Sequence, residues 1–125
     1  MGKEIVTHKI TIPGELPDLN TIIEAAKQHY GQYAKLKKEN TESVAWIAKK
    51  LPTMERIKLT CRWYCKDKRK DKDGIATGIK FILDGLVEAG IIANDGWKQI
   101  DSFGHEFYVD KQKPRVEVMI EEVGD

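Results

Sequence analysis

The sequence lacks the features that mark membrane and exported proteins. Its apolar runs, such as residues 81–83 and 91–93, fall far short of the roughly 18 residues that a membrane-spanning helix needs. The first residues, Met-Gly-Lys-Glu, lead into a short β-like stretch and not into the apolar segment of a secretory signal. We therefore expect a soluble, cytoplasmic protein with no membrane partner.

Cysteine and histidine are scarce, and neither is spaced for metal binding. The two cysteines, Cys61 and Cys65, lie four residues apart in a strand-like segment, where about 13 Å would separate them. That distance excludes a disulfide bond between them. A lone C-x-x-x-C pair is also a poor zinc signal, so we expect both thiols to be buried. His8, His29 and His105 show no ligand spacing and are assigned no role.

An excess of charge of one sign is absent too, because 21 basic and 20 acidic side chains leave a formal net charge of +1. This near-balance argues against a simple polycation that holds nucleic acid by overall charge. The charges are nevertheless segregated: residues 1–26 sum to −2, residues 27–72 to +9 and residues 73–125 to −6. The asymmetry suggests a polyanionic partner beside a cation-binding site.

The chain has the size and composition of one domain. Its 125 residues, 41% of them hydrophobic, predict a single domain over residues 1–125 with a buried core. Strands are predicted at residues 5–12, at residues 57–65, where apolar side chains alternate strictly, and at residues 115–121. The segment around Phe103 and Phe107 is mixed in pattern.

Two stretches show helical patterns. Residues 19–51 predict two helices or one kinked helix, since Gly31 and the Asn40-Thr41 pair mark possible breaks. Residues 75–86 repeat isoleucine and leucine at helical spacing, and Gly90 is placed to end that helix. The order strand, helices, strand, helix, strands predicts an α+β fold, a single two-layer domain with a mixed β-sheet packed against helices.

The densest polar run is residues 66–73, with five basic and three acidic side chains between the most regular strand and the most regular helix. A solvated hairpin or linker is one interpretation of such a run. Its position favours another, because functional sites gather in loops at strand ends. Two basic clusters can contact DNA phosphates or be merely solvated: Lys68, Arg69 and Lys70 in this run, and Lys35, Lys37 and Lys38 upstream.

Carboxylates accompany the basic run. Asp71 and Asp73, two apart in an extended or turning chain, can point to the same side and suit Mg²⁺ or Mn²⁺. Asp95 is a candidate third carboxylate, because a short loop returns the chain after the helix that ends at Gly90. With Lys80 as a nearby cation, these groups are what metal-dependent phosphodiester hydrolysis requires.

Asp84 is harder to place in the same site. On one continuous helix, Asp73, Lys80 and Asp84 share a face, but about 16 Å would separate Asp73 from Asp84. That distance is too great for both to bind one ion unless the chain bends. We therefore expect Asp84 to form a helix ion pair with Lys80.

Taken together, these motifs resemble the RusA family of Holliday junction resolvases. That family has a basic run leading into D-x-D-N, a helix with K-x-x-x-D-x-L, a turn bounded by glycine and a D-D pair. The matching segments here are Arg69-Lys70-Asp71-Lys72-Asp73-Gly74-Ile75, Lys80-Phe81-Ile82-Leu83-Asp84-Gly85-Leu86, Gly90 and Asn94-Asp95. Upstream, the strand Lys9-Ile10-Thr11-Ile12-Pro13 with Pro17 and Asn20 resembles the opening of the family, so the resemblance covers nearly the full chain.

The resemblance implies a RusA-like, intertwined homodimer that binds four-way DNA junctions in recombination and repair, often encoded by prophages. It would nick opposed strands with Mg²⁺, for which Mn²⁺ can substitute. Asp71, Asp73 and Asp95 would be the catalytic, metal-binding acids and Lys80 the essential lysine, with Asp84 in a supporting role. Asn20 would contact DNA.

Two positions depart from the family pattern, because Gly74 replaces the usual Asn and Asn94 replaces the first acid of the D-D pair. An alternative is therefore a non-catalytic protein of the same fold that binds DNA junctions. A third is an unrelated cytosolic domain whose charged run is only surface. Trp97 can stack on unpaired bases, or it can belong to the core or a dimer interface. A two-fold dimer is also expected because one small subunit faces a junction with two cut sites.

Overall fold

The computed structural model describes residues 6–124, with the backbone alone at Tyr30. This part of the chain forms four strands and four helices: β1 (Thr7–Pro13), α1 (Leu19–Gln28), α2 (Tyr30–Ala48), β2 (Ile57–Cys65), α3 (Lys72–Ala76), α4 (Ile79–Glu88), β3 (Ile100–Val109) and β4 (Arg115–Glu122). The predicted α+β class is confirmed. Ile5, which the first predicted strand included, lies outside the described residues. Among residues 6–124, none of the helices is long and apolar enough to cross a membrane.

The four strands form one mixed sheet in the order β1-β4-β2-β3. β4 is antiparallel to both β1 and β2, whereas β2 and β3 are parallel. A parallel pair requires a crossover, because the chain must return to the end of the sheet at which the first strand began. α3 and α4 form that crossover. The mixed sheet predicted from the sequence is therefore confirmed.

Helices cover one face of the sheet, and the core lies between the two layers. The strict alternation of β2 buries Ile57, Leu59, Cys61, Trp63 and Cys65, as predicted. Alternate residues of β1 and β4 join the same core. Both cysteines are free and buried, also as predicted, and burial raises the pKa of the Cys61 thiol to about 12.

The first helical stretch forms two helices, one of the two predicted arrangements. His29 separates them with an extended backbone, at φ −167° and ψ 133°. Asp18 begins α1, and its Oδ1 accepts hydrogen bonds from the backbone N–H and the hydroxyl of Thr21. A capping side chain of this kind satisfies an amide of the first turn that has no partner within the helix.

The prediction of one continuous helix over residues 75–86 is wrong, because the chain bends between α3 and α4 at Thr77 and Gly78. Gly78 packs against the ring of Trp63 so closely that a Cβ atom there would lie 2.9 Å from it. The close approach to the sheet and the low helix propensity of glycine favour a break at this position. Gly90, at φ +76°, follows α4 and ends it as predicted.

α4 lies directly on α2. A Cβ atom on Gly85 would lie 2.5 Å from Val44 Cγ1, so only glycine allows this approach of the two helices. The contact places Lys37 of α2 beside Asp84 of α4, with 4.0 Å between Lys37 Nζ and Asp84 Oδ2. The prediction that Asp84 pairs with Lys80 is therefore wrong, since the described ion pair of Asp84 is with the neighbouring helix.

Candidate functional site

The carboxyl ends of the parallel strands β2 and β3 form the floor of an open groove. The end of the sheet is held by a hydrogen bond of 2.8 Å from Asp110 N to Cys65 O. Beyond Cys65 the chain leaves the sheet through residues 66–71 and enters α3, which forms the opposite wall. The groove has a volume of about 810 Å³ and is lined in part by Lys68, Lys70, Asp71 and Asp73.

Asp71 and Asp73 both line this groove. Asp71 precedes the first residue of α3 with an extended backbone and makes no side-chain capping bond, while Asp73 lies in the first turn. Both side chains are exposed. Two accessible carboxylates two residues apart suit Mg²⁺, which commonly binds one or two carboxylates and completes its coordination with water and phosphate oxygens.

Lysines surround the two carboxylates. Lys68, Lys70 and Lys72 line the groove with them, and Lys72 Nζ lies 5.8 Å from the centre of the Phe107 ring. Arg69 is not among the residues that line the groove; its side chain is 90% exposed, and its Nε lies 3.8 Å from Oδ2 of Asp67, a groove residue. Of the predicted cluster, Lys68 and Lys70 therefore face the groove and Arg69 faces solvent beside it.

Lys70 also links the groove to the start of α1. Asp18 is buried, which opposes its ionisation, but the hydrogen bonds from Thr21 and the positive charge of Lys70 outweigh burial and lower its pKa. The lysine and the acid both line a small cavity next to the groove. Lys70 of the loop between β2 and α3 is thus close enough to the start of α1 for its charge to act on Asp18.

Asn20 lies near the same end of the molecule. It is exposed in the first turn of α1, and its neighbour Leu19 approaches α3, with Leu19 Cβ 3.9 Å from where a Cβ on Gly74 would lie. A side chain at position 74 would therefore make only ordinary contacts. The departure from the family pattern at Gly74 is not imposed by a lack of space.

Lys80 and Asp84 lie on α4 and not in the groove. Lys80 is exposed in the first turn of α4, which begins over Trp63 near the groove. Asp84 faces α2, where its Oδ2 atom is buried without a hydrogen bond and Lys37 supplies the nearest described positive charge. Lys37 thus serves a helix contact, whereas Lys38 is exposed on α2.

Asp95 lies at the opposite end of the parallel strands. It is exposed in the loop between α4 and β3, where Ile57 N, at the start of β2, donates to Gln99 O at 2.8 Å. Because β2 has nine residues, about 26 Å of strand separates this end from the groove. One subunit does not bring Asp95 to Asp71 and Asp73. Within residues 6–124, no group of three or more histidine, cysteine or acidic side chains is arranged to hold a metal ion.

Asn94, the other departure from the pattern of the resembled family, forms a hydrogen bond within its own turn. Its side-chain oxygen accepts a hydrogen bond of 2.9 Å from Asp95 N. The amide therefore shapes the turn that presents Asp95. It adds no negative charge to this end of the sheet.

The aromatic wall of the groove was not predicted. Phe107 and Tyr108 line it from β3, and the Tyr108 hydroxyl donates to Glu106 Oε1 at 2.6 Å. The Tyr108 ring stacks on Tyr64 with 4.9 Å between ring centres. The alternation of Phe103, His105, Phe107 and Val109 was the available signal in the sequence.

Two comparisons with known proteins gave no match. No protein-family model matches the chain, and no curated protein is significantly similar to it.

Proposed function

We propose that this protein is a Mg²⁺-dependent, structure-selective DNA endonuclease that resolves Holliday junctions by paired nicks in recombination and repair. The observation that carries the proposal is the groove at the carboxyl ends of β2 and β3. It brings together Asp71 and Asp73, the pair that the motif resemblance assigns to the metal, with Lys68 and Lys70 beside them. Accessible acids and lysines lining one groove suit a divalent cation and a phosphate bound together.

In this proposal the acidic residues of the groove bind the metal and the basic residues bind DNA. Asp71 and Asp73 would hold Mg²⁺, or Mn²⁺ in its place, and the bound cation would polarise the phosphodiester and activate water. Lys68 and Lys70 would hold the DNA backbone across the groove. Lys80, exposed at the start of α4, would contact the DNA backbone beside the groove.

Asp84 supports the site from a distance in this proposal. Its contact with Lys37 fixes α4 against α2, and α4 carries Lys80. Asn20 and Lys38 extend the candidate DNA contact surface away from the groove.

Asp95, the third acid of the resembled site, would come from a second subunit. Asp95 is separated from the groove by the length of β2, so the acid that the resemblance assigns to the same site would come from the partner. A homodimer is also what two symmetric cuts in a four-way junction require, because a two-fold axis presents the same site twice.

A non-catalytic junction-binding protein is the second candidate. The observation that favours it is Asn94, whose amide caps the Asp95 turn where the family has another acid. Such a protein would keep the lysines of the groove and bind junctions without cutting them. It would differ from the proposed enzyme in one measurable property, cleavage.

The decisive experiment compares nicking of a synthetic four-way junction with nicking of a linear duplex in Mg²⁺ and Mn²⁺. We expect cleavage of the junction by the wild type and loss of at least about a hundredfold in Asp73→Asn, because one metal ligand is removed. Junction binding in a gel shift should be retained. Glu88→Gln, at an exposed position at the end of α4, is the matched control and should cleave normally.

Two results would contradict the proposal in different ways. Undiminished cleavage by Asp73→Asn would refute the metal assignment. A wild type that binds junctions tightly yet cuts none at any concentration of either metal would establish the binding-only alternative.

A further inference from the structure

Three planar side chains form a stacked row across the face of the sheet that the helices leave uncovered. Tyr64 of β2 is the middle member, because it pairs with Tyr108 of β3 on one side and with Arg115 of β4 on the other. The two tyrosine rings lie 4.9 Å apart between centres, at an angle of 20°. Arg115 Cζ lies 3.8 Å from the centre of the Tyr64 ring. The row therefore crosses three neighbouring strands.

Ion pairs and hydrogen bonds hold both ends of this row. Arg115 Nη1 lies 2.8 Å from Asp110 Oδ2, and Arg115 Nε lies 2.9 Å from Glu117 Oε2. At the other end, the hydroxyl of Tyr108 donates to Glu106 Oε1 at 2.6 Å. Side chains that are already held in place lose little conformational freedom when a ligand contacts them, which favours binding.

The row ends at Tyr108 with one face of the ring open. Within residues 6–124, Tyr64 is the only ring that stacks on Tyr108, and no strand of the sheet lies beyond β3. Tyr108 is 43% exposed. Its outer ring face can therefore accept one more planar group in an offset stack.

The charges beside Tyr108 indicate what that group is. Tyr108 lines the groove together with Lys68, Lys70 and Lys72. A nucleotide matches this combination, since its base stacks on an aromatic ring and its phosphate is attracted by lysines. An apolar protein segment fits less well, because it would remove water from the lysines without giving them a partner.

We propose that Tyr108 is the stacking platform for one unpaired base of the DNA strand whose phosphate lies in the groove. A base within a duplex is already stacked on its neighbours and does not reach such a platform, whereas a base at an open branch, in a gap or in a single-stranded tail does. The site thus selects strands with an unpaired nucleotide beside the groove. It is indifferent to sequence, because every base has a flat face. The placement of the phosphate rests on the proposed function.

Phe107, the other aromatic residue of the groove, offers no equivalent surface. It lies on the helix-covered face and packs against the core. Its ring stacks on His105 with 6.2 Å between centres, and Lys72 Nζ lies 5.8 Å from its centre. Tyr108 is therefore the residue to alter, because a change at Phe107 would also disturb the core.

The first experiment measures the binding of single strands without metal, so that cleavage plays no part. The probes are a short fluorescein-labelled thymidine oligonucleotide and an abasic strand of the same length, which keeps the phosphates but has no bases. By fluorescence anisotropy we expect the wild type to bind the thymidine strand at least about fivefold more tightly than the abasic strand. Tyr108→Ala should bind both strands with the affinity that the wild type has for the abasic one.

Three further variants control for other effects. Tyr108→Phe keeps the ring and should retain most of the preference for bases. Tyr108→Leu still covers Tyr64 but has no aromatic face, so it should behave like Tyr108→Ala and replaces it if circular dichroism shows that variant to be unfolded. Trp46→Ala removes an aromatic residue that is 70% exposed on α2, away from the groove, and should bind like the wild type.

The second experiment tests the selection of unpaired bases on duplex DNA, again without metal. A short single-stranded tail should raise the affinity of the wild type for a blunt duplex by more than an abasic tail of the same length does. In Tyr108→Ala the two tails should have equal effects, since only their phosphates are then recognised.

A wild type that does not distinguish bases from abasic strands would overturn the proposal. A folded Tyr108→Ala or Tyr108→Leu that keeps the wild-type preference would overturn it too. A wild type that distinguishes the strands but cleaves no junction would refute the nuclease proposal and leave the stacking site in place. Cleavage by a wild type that does not distinguish them would refute the stacking site alone.

Discussion

The two ends of the parallel strands β2 and β3 differ in almost every property that matters for function. The carboxyl end has a groove in which Asp71 and Asp73 lie among lysines. The amino end has Asp95 and the almost fully exposed Trp97 on a loop. The groove combines two accessible acids with lysines, whereas Asp95 lies on a loop at the other end.

The topology explains this division. The chain leaves β2 at the carboxyl end, where it places Asp71 and Asp73, and must cross back over the sheet before β3 can run parallel to β2. Asp95 lies where the crossover finishes, which is the amino end. A site that uses all three acids would therefore join opposite ends of two sheets, one from each subunit.

Removing the lysines of the carboxyl end should act mainly on DNA binding. The double variant Lys68→Ala/Lys70→Ala should weaken junction binding on the order of tenfold, because two phosphate contacts are lost. The dependence of log K on log salt should become less steep by about 2. Gel shifts or fluorescence anisotropy at several salt concentrations would measure both quantities.

The matched control removes the same charge elsewhere. Lys27→Ala/Lys50→Ala changes two exposed lysines outside both predicted clusters and should leave the salt dependence nearly unaltered. Equal losses in the two double variants would mean that binding follows net charge and not the groove.

A smaller change is expected at position 74, in the helix that carries Asp73. Gly74→Asn restores the residue of the resembled family, and the open space around the position accepts the side chain. We expect a rise of a few-fold in junction cleavage, with the free energy of unfolding changed by no more than about 0.5 kcal/mol. Gly78→Asn is the contrasting variant, because the Trp63 ring excludes a side chain there, and chemical denaturation should show it to be destabilised. Lower cleavage by a stably folded Gly74→Asn would contradict a supporting role for an amide at this position.

Much of the fold follows from local patterns. β2 alternates without exception, and its bounds, Ile57–Cys65, match the prediction. Gly90 ends α4 as expected. In both places one local rule, alternation or a left-handed glycine, decides the structure by itself.

The predictions fail where contacts with residues distant in sequence determine the structure. The break at Gly78 depends on the Trp63 ring from another element, and the partner of Asp84 is Lys37 from another helix. β3 was not recognised because polar His105 stands at an apolar position of its alternation and its outer position leaves Phe103 and Val109 exposed.

The same distinction between local and distant determinants applies to the candidate site. The proximity of Asp71 and Asp73 follows from their spacing of two residues, so the sequence sufficed to predict it. The position of Asp95 depends on whether β3 runs parallel to β2, which no local pattern reveals. The aromatic wall of the groove depends on the same pairing.

The central claim, that the two ends of the sheet cooperate between subunits, is tested most directly by mixing two inactive variants. Asp73→Asn and Asp95→Asn should each be nearly inactive alone on a four-way junction. When the two variants are unfolded and refolded together, half of the resulting dimers contain one subunit of each kind. Each of these dimers has one intact site. We expect the mixture to recover about a quarter of the wild-type nicking activity, with only one strand cut in each junction. A mixture that stays as inactive as its components, or an Asp95→Asn variant that cleaves like the wild type, would contradict the account.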